Sequence, residues 1–278
     1  MANPSDRAAG TGRHAFPRAR KRFGQHFLEP AWVTRLVNAV DPRPDDVFIE
    51  IGPGRGALTQ VLAPRVRKVV AVEIDRDLTA ALLHAVGGNV HVIEGDFLDL
   101  DLHRITRAEA APVRVIGNLP YNISSPILFK LLAAANEGRS LTDATLMLQK
   151  EVVDRIVAKP GTGDYGTLAI QVALVADVER LLTLPPGAFR PPPKVTSAVV
   201  RLTFRRVAED VGSRDVFEKI VRGIFLQRRK TLANALKPVA DALGQQAEDL
   251  IQRADVDGRK RPEALTLGEI ARLCRAVV

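Results

Sequence analysis

Short apolar runs alternate with helical patterns from Val47 to Phe204, and this alternation restricts the fold more than any other feature of the sequence. The apolar runs predict strands at Val47–Ile51, Val69–Ile74, Val90–Glu94, Val113–Gly117, Ala144–Leu148, Val178–Leu184 and Val195–Phe204. The patterns between them predict helices at Ala57–Ala63, Asp77–Ala85, Pro126–Ala135, Lys150–Val157 and Thr167–Ala176. Strands that alternate with helices predict an α/β fold with a mostly parallel, doubly wound sheet.

The last two predicted strands have only the proline-rich stretch 185–193 between them and no helix. We expect them to form an antiparallel hairpin at the sheet edge, which makes seven strands. After Arg205 only helical patterns follow, at Val216–Gln227, Thr231–Ala242, Ala247–Ala254 and Thr266–Ala276. We therefore expect a domain at 21–205 and a small all-α domain at 206–278. Residues 1–20 lack periodicity and are expected to form a disordered basic tail.

The chain carries a formal net charge of +8, which favours a polyanionic partner such as a nucleic acid. Its basic side chains cluster at three places, which are Arg18, Arg20, Lys21 and Arg22, then Arg228, Arg229 and Lys230, then Arg259, Lys260 and Arg261. Each cluster alone fits a solvated surface equally well. The charge therefore leaves nucleic-acid binding as one of two interpretations.

Cysteine usage and hydropathy indicate the compartment. The chain has one cysteine, Cys274, so it cannot form an internal disulfide, and its helical surroundings favour a packing role. No apolar run approaches the roughly 20 residues that a membrane-spanning helix needs. The N-terminus has arginines but no apolar segment of a secretory signal. We expect a cytoplasmic protein without a membrane partner.

The segment GPGRG follows the first predicted strand and opens a helix. Gly52 and Gly54 allow the backbone to pass close to a ligand, and the spacing differs from the G-x-G-x-x-G of pyrophosphate binders. Glu73 ends the second strand, 21 residues after Gly52, where its carboxylate can accept both hydroxyls of a ribose. A glycine loop followed by this acid fits NAD and S-adenosylmethionine about equally.

A second acid follows the third predicted strand, at the carboxyl edge where such sheets bind ligands. Asp96 can accept the exocyclic amine of an adenine, and Phe97 or Ile74 can pack on the face of that base. A lone Asp after a strand is as often a turn or a helix cap. In sequence with Gly52 and Glu73, however, it outlines an adenosine site.

The segment NLPY ends the fourth predicted strand. Pro120 fixes the orientation of the Leu119 carbonyl, so that this oxygen and the Asn118 amide oxygen can both accept from one exocyclic amine. Tyr121 can stack on the ring that carries the amine. Such a ring would belong to a base turned out of its nucleic-acid helix. Two acceptors direct the nitrogen lone pair at a methyl donor and spread the developing positive charge. The alternative is a plain turn with Tyr121 in the core.

Seven segments, in order, resemble the ribosomal RNA adenine dimethyltransferases, most closely their small-subunit type: IEIGPGRGALT, VEIDRDL, EGDFLDL, GNLPYNISSPI, QKEVVDRI, FRPPPKVTSAVVRL and QRRKTLANAL. The resemblance runs from about Lys21 to the C-terminus. It implies a Rossmann-like, S-adenosylmethionine-dependent methyltransferase fold at 21–205 and an RNA-binding helical domain at 206–278.

The resemblance also implies roles for individual residues. It places the cofactor at His26, Leu28, Gly52, Glu73, Asp96 and Asn118, and the local pattern adds Gly54, Ile74 and Phe97 to the same pocket. It assigns Asn118 and Tyr121 to the target adenine, with Phe189 as a second stacking ring opposite Tyr121, and the local pattern adds Leu119 and Pro120 to the catalytic loop. The family commonly has Asn at the position of His26, which can still donate to the methionine part of the cofactor; a buried structural histidine is the alternative.

The substrate that the resemblance implies is a pair of adjacent adenosines in the 3′-terminal hairpin loop of 16S rRNA, each dimethylated on N6. We expect the small ribosomal subunit or its precursor as partner, S-adenosylmethionine as methyl donor, no metal, and a monomer. The residues expected to contact RNA phosphates are Arg20, Lys21, Arg22, Arg228, Arg229 and Lys230. The last three are expected around a helix surface whose core face holds Ile224, Phe225, Leu232 and Leu236.

Two other functions remain open from the sequence. DNA adenine methylases use a related N/D-P-P-Y loop, but here Leu119 replaces the first proline and no DNA-recognition domain is evident. A non-catalytic binding protein with the same fold is the second alternative, and the presence of Gly52, Glu73, Asp96 and Asn118 argues against it.

Overall fold

The computed structural model describes residues 26–109, 111–137, 141–206 and 209–277. The predicted tail, with Arg20, Lys21 and Arg22, lies outside the described residues. The strands are β1 (Phe27–Leu28), β2 (Val47–Ile51), β3 (Lys68–Glu73), β4 (Val90–Glu94), β5 (Val113–Asn118), β6 (Leu141–Gln149), β7 (Ala176–Leu184), β8 (Phe189–Arg190) and β9 (Ser197–Phe204). The helices are α1 (Pro30–Val40), α2 (Ala57–Leu62), α3 (Arg76–Ala85), α4 (Leu102–Ala108), α5 (Ser124–Asn136), α6 (Lys150–Ile156), α7 (Thr167–Val175), α8 (Arg214–Leu226), α9 (Leu232–Ala242), α10 (Ala247–Ala254) and α11 (Leu267–Arg275).

Seven of the described strands form one sheet in the order β4-β3-β2-β5-β6-β9-β7. The first five strands of this order are parallel, and β9 pairs antiparallel with both β6 and β7. The predicted α/β class, the seven strands and the antiparallel pair at the edge are confirmed. The chain runs outward in one direction from β2 to β4 and in the other from β5, so β2 and β5 flank a switch point, where such sheets bind ligands.

The side chains of β2 alternate between the two faces of the sheet. Ile49 is fully buried in the core on one face, and Phe48 is fully buried in the core on the other face. The core that contains Ile49 continues without a break into the helices after residue 213, through residues such as Phe217 and Ile220. The helical part therefore packs directly on the sheet part.

Two helices and one strand pair were not predicted from the sequence. Helix α1 begins with Pro30 and buries Val33, Leu36, Val37 and Val40. That spacing is typical of a helix with one apolar face, so the signal was present. Helix α4 is short and is capped by Asp101, whose side chain accepts from two backbone N–H groups. The pair β1–β8 joins residues more than 160 positions apart, for which local sequence gives no signal.

A buried arginine joins α1 to the middle of the sheet. Arg114 on β5 contacts the carboxylates of Asp143 and Asp46 at 2.8 and 2.7 Å. It also donates to the carbonyl oxygens of Val40 (2.9 Å) and Asp41 (3.3 Å) at the end of α1. Only 11% of the Arg114 side chain is exposed, so this cation is compensated almost entirely by protein groups.

The described elements after Phe204 are α8 to α11, with bounds within two residues of those predicted, and a short 3-10 helix at Pro262–Ala264 that was not predicted. Within the described ranges, no helix combines the length and the apolar character that crossing a bilayer requires.

Candidate active site

A cavity of about 210 Å³ lies at the carboxyl ends of β2, β3, β4 and β5, next to the switch point. The structure places at this cavity twelve of the thirteen residues predicted to hold a cofactor or a target base, namely His26, Leu28, Gly52, Gly54, Glu73, Ile74, Asp96, Phe97, Asn118, Leu119, Pro120 and Tyr121. These residues come from four strand ends and from the N-terminal segment, so the fold brings distant motifs together.

The glycine loop faces the cavity with its backbone. Gly52 and Gly54 have φ angles of +64° and +59°, which other residues adopt only with strain. No atom lies within 4 Å of the position that a Cβ of Gly52 would occupy, so this part of the loop borders open space. A Cβ on Gly54 would lie 3.1 Å from the Phe27 ring. The loop therefore provides a smooth backbone surface on the cavity side, with Phe27 packed against Gly54.

The carboxylate of Glu73 is fixed by the backbone at the end of β3. Its Oε2 accepts from the N–H of Gly54 and its Oε1 accepts from the N–H of Asp75, both at 2.9 Å. Burial raises the pKa of Glu73, and these backbone hydrogen bonds oppose the rise. Each oxygen keeps a second lone pair, so the group can accept from a pair of ligand hydroxyls without moving.

Asp96 and its neighbours form the wall of the cavity beyond Glu73. The Oδ1 atom of Asp96 accepts from the N–H of Leu98 at 2.8 Å, so the turn role that we considered for this residue is present. The second oxygen, Oδ2, is the one that can accept from a ligand. Ile74 is 47% exposed although it is large and apolar, while Phe97 is buried at the cavity wall. An exposed Ile beside an acid is suited to cover the face of a planar base.

A second buried acid lines the cavity, and sequence reasoning missed it. Glu50 on β2 is 1% exposed and accepts from Thr59 Oγ1 at 2.7 Å. Burial raises its pKa to about 7, the Thr59 hydrogen bond opposes the rise, and the nearby charge of Glu73 adds to it. An acid within the apolar run VFIEI was the available signal.

The raised pKa of Glu50 makes stability depend on pH. In the unfolded chain this carboxyl has a pKa near 4.5. The stability that protonated Glu50 gives the folded state is therefore fully present below pH 4.5 and is lost as pH rises to about 7. Replacing Glu50 by Gln removes the titration and keeps an acceptor for Thr59. Between pH 5 and 8 we expect the free energy of unfolding of the variant to rise relative to that of the wild type, by up to roughly 3 kcal/mol at pH 8. Denaturant unfolding of both proteins across this pH range tests the prediction. If the two free energies of unfolding changed with pH in parallel, the prediction would be wrong.

Asn118 ends β5 and holds the N-terminal segment in place. Its Nδ2 donates to the carbonyl oxygen of His26 at 2.8 Å. Because a carbonyl can only accept, the nitrogen must face His26, and the orientation of the amide is thereby settled. The Oδ1 atom is then the acceptor available to a ligand. The Leu119 side chain is buried, so only its backbone can contribute at the cavity.

His26 connects three parts of the site. Its Nδ1 lies 2.8 Å from the carbonyl oxygen of Pro191, so Nδ1 carries a proton. Its ring stacks on that of Tyr121, with centroids 6.0 Å apart and planes at 24°. In the neutral imidazole Nε2 is therefore an acceptor, suited to an ammonium group of a ligand. This differs from the donor role that the sequence suggested.

Tyr121 lies at the cavity with its ring half-buried and its hydroxyl fixed. The hydroxyl lies 2.6 Å from the Oγ of Ser197, a fully buried residue at the start of β9. Burial raises the pKa of Tyr121, and the hydrogen bond to Ser197 opposes the rise. The ring is thus held in one orientation, which a stacking platform requires. No local signal in the sequence marks Ser197.

Phe189 does not line the cavity. Its ring is fully buried in the core on the Phe48 side of the sheet, because β8 pairs with β1 and directs this residue inward. The predicted place of Phe189 opposite Tyr121 is therefore wrong for this structure. The ring beside Tyr121 is that of His26.

The basic cluster at 228–230 lies in the turn between α8 and α9 and not around a helix, which corrects the prediction. Arg228 pairs with Glu263 at 3.0 Å and donates to the carbonyl oxygen of Gly163 at 2.9 Å. It therefore joins the loop after α6 to the helical part. Arg229 and Lys230 are exposed.

The third basic cluster is partly paired as well. Arg259 contacts Asp257 at 3.1 Å and Lys260 contacts Glu269 at 2.6 Å. In the described part of the chain, no group of three or more His, Cys, Asp or Glu residues is placed to hold a metal ion.

Comparison with known proteins identifies the family of this chain. The sequence profile described as "Ribosomal RNA adenine dimethylase" matches residues 17–276. The chain belongs to this family. The chain is also similar to the ribosomal RNA small subunit methyltransferase A of Pseudomonas savastanoi pv. phaseolicola, with 45% identity over 260 residues, which is 92% of this chain and 93% of that protein. The protein of the same name from Chromobacterium violaceum is 44% identical over 258 residues, 91% and 94% of the two chains.

Solved structures agree with this assignment. The dimethyladenosine transferase from Plasmodium falciparum superposes with a TM-score of 0.77 at 27% identity, over 89% of this chain and 96% of that one. The 23S rRNA methyltransferase ErmE superposes with a TM-score of 0.64, also at 27% identity, over 90% and 99%. The predicted Rossmann-like methyltransferase fold is therefore confirmed, and so is the resemblance to the family.

Proposed function

We propose that this chain dimethylates N6 of two adjacent adenosines in the 3′-terminal hairpin loop of 16S rRNA, with S-adenosylmethionine as methyl donor. One observation carries the proposal most directly. The Asn118 amide is oriented with Oδ1 available, beside a Tyr121 ring held by Ser197, at a cavity that is also lined by the glycine loop and three acids. The small-subunit target is supported by the names of relatives 43–46% identical to this chain.

The residues at the cavity fit the methyl donor. Gly52 borders open space, Glu73 is fixed where it can accept two hydroxyls, and Asp96 lies beyond it beside the exposed Ile74. Gly52 thus offers a backbone surface to the donor, Glu73 suits its ribose, and Asp96 suits its adenine. When bound, S-adenosylmethionine supplies an electrophilic methyl group on a positively charged sulfur.

The chain itself positions the nucleophile. The Oδ1 of Asn118 and the carbonyl oxygen of Leu119 accept the two hydrogens of the target amine, so its lone pair turns out of conjugation with the ring. The same acceptors stabilise the positive charge that develops on the nitrogen. The Tyr121 ring holds the base in the reactive orientation. The nitrogen becomes acidic only when it is alkylated, so no dedicated general base is needed.

RNA outside the target base is held by phosphate contacts. Arg229 and Lys230 are exposed and next to each other, which suits contact with a backbone. Arg228 is half-buried and paired with Glu263, so its role is to hold the turn that presents them. Single-stranded loop bases can be splayed out and stacked on aromatic rings, which matches the open Tyr121 site.

The experiment that tests the function uses small subunits from cells that lack this gene. The purified protein and labelled S-adenosylmethionine should transfer four methyl groups per subunit, found by mass spectrometry as two dimethylated hairpin adenosines. Transfer into duplex DNA instead would establish the DNA-methylase alternative. Tight subunit binding with no transfer would establish the non-catalytic alternative.

Replacing Arg229 and Lys230 together by Gln should weaken RNA binding and reduce its salt dependence. Each lost phosphate contact lowers the slope of log affinity against log salt by about one, so we expect a decrease of about two. Affinity for the hairpin, measured between 50 and 300 mM KCl, gives this slope. Lys219→Gln, on α8 and paired with Asp215, is the matched control and should leave the slope unchanged. An unchanged slope in the double variant would exclude these contacts.

A further inference from the structure

Arg55 lies in the glycine loop, and its guanidinium is stacked at the cavity. Its Cζ is 4.3 Å from the centroid of the Phe27 ring, and both residues line the cavity. Phe27 in turn packs on Gly54. A guanidinium above an aromatic ring is held in a defined plane, with its N–H groups directed sideways along that plane.

The charges around the cavity are unevenly distributed. Three carboxylates line it, those of Glu50, Glu73 and Asp96, whereas Arg55 is the one lysine or arginine among the described lining residues. An anionic part of a ligand would be repelled by the acids. It is stabilised only near Arg55 or by backbone N–H groups.

The order of the strand ends shows which part of the donor reaches Arg55. The adenosine part is expected at Glu73 and Asp96, after β3 and β4, on one side of the glycine loop. The methyl group must lie near Asn118 at the end of β5. The remaining amino-acid tail therefore lies against the glycine loop and the N-terminal segment, where Arg55, Phe27 and His26 line the cavity.

We propose that Arg55 binds the α-carboxylate of the donor's amino-acid tail, an inference that rests on the proposed function. The guanidinium forms a two-pronged, charge-assisted contact with the carboxylate. Phe27 keeps the guanidinium in place before the donor arrives, so little side-chain entropy is lost on binding. The acceptor Nε2 of His26 suits the α-ammonium of the same tail. Both ends of the amino acid are then recognised by neighbouring residues.

The test compares two ligands on one variant. Arg55→Leu keeps an apolar side chain against Phe27 and removes the cation. By calorimetry, we expect its Kd for S-adenosylmethionine to rise about 10- to 100-fold, the range of a hydrogen bond to a charged group. Its Kd for decarboxylated S-adenosylmethionine, which lacks the carboxylate, should change less than about threefold. This second ligand also verifies that the variant's site is folded.

The other outcomes overturn the inference in distinguishable ways. Equal weakening for both ligands would mean that Arg55 only shapes the loop. Unchanged donor affinity with weaker RNA binding and a salt slope smaller by about one would assign Arg55 to an RNA phosphate. If the wild type bound no S-adenosylmethionine, the proposed function itself would fail. If wild type and variant bound it equally well, only the role of Arg55 would fail. Arg55→Lys retains the charge without the two-pronged geometry. Its Kd for S-adenosylmethionine should lie between those of the wild type and Arg55→Leu.

Discussion

Replacing Asn118 by Ala is expected to lower the rate of methyl transfer about 100- to 1,000-fold at saturating donor, with RNA affinity within about twofold of the wild type. The change removes Oδ1, which in the proposed mechanism holds the target amine and its developing charge, and a single preorganised polar group of this kind is worth about that much. The phosphate contacts that we propose, at Arg229 and Lys230, lie in the turn between α8 and α9 and not at this cavity. Single-turnover methylation of small subunits and a separate RNA-binding titration measure the two quantities.

Asn118→Asp separates the two functions of this side chain. Aspartate keeps an acceptor for the amine but cannot donate to the carbonyl oxygen of His26, which the wild-type Nδ2 contacts at 2.8 Å. We expect its donor Kd to rise because the N-terminal segment loosens, and its rate at saturation to exceed that of the Ala variant. A rate near that of the wild type in the Ala variant would show that the amide has no part in the chemistry.

Replacing Arg114 by Leu is expected to destabilise the fold by about 3–5 kcal/mol, the range for removing one partner of a buried ion pair. The change leaves the carboxylate of Asp143, which is 6% exposed, without its cation. It also leaves the carbonyl oxygens of Val40 and Asp41 without their donor. Denaturant unfolding gives the loss as a shift in midpoint at constant slope.

Two further variants show whether the loss comes from the uncompensated charge. Arg155 pairs with Glu151 on the surface of α6, so Arg155→Ala should change stability by at most about 1 kcal/mol. The double variant Arg114→Leu with Asp143→Leu buries no unpaired carboxylate at Asp143 and should recover part of the loss. A double variant less stable than Arg114→Leu alone would show that packing, not charge, dominates at this position.

The strand ends that form the cavity could be predicted because each lies beside its own motif. An apolar run precedes each of four cavity residues, which are Gly52, Glu73, Asp96 and Asn118. The carboxyl ends of these runs share one edge of a parallel sheet, so the hydrophobic periodicity and the order of the strands were sufficient to predict that the four residues lie together. The bounds of β2 and β4 were predicted without error for the same reason. Local pattern carries this information because the topology of such sheets is strongly restricted.

The remaining features depend on contacts between distant residues. Phe189 is buried because β8 pairs with β1, and Arg228 is paired because Glu263, 35 residues away, reaches it. Ser197 orients Tyr121 across 76 residues. Periodicity in the sequence describes neighbours along one element, whereas these partners are chosen by packing in three dimensions.

In the antiparallel pair β1–β8, Phe27 lies opposite Arg190 and Leu28 lies opposite Phe189. Next to this pair, His26 donates a hydrogen bond to the carbonyl oxygen of Pro191. One wall of the cavity therefore requires both the beginning of the chain and a segment made about 160 residues later. During translation, a growing chain emerges from the ribosome in order. The cavity accordingly stays incomplete in a growing chain until residues 189–191 have left the exit tunnel and paired with residues 26–28.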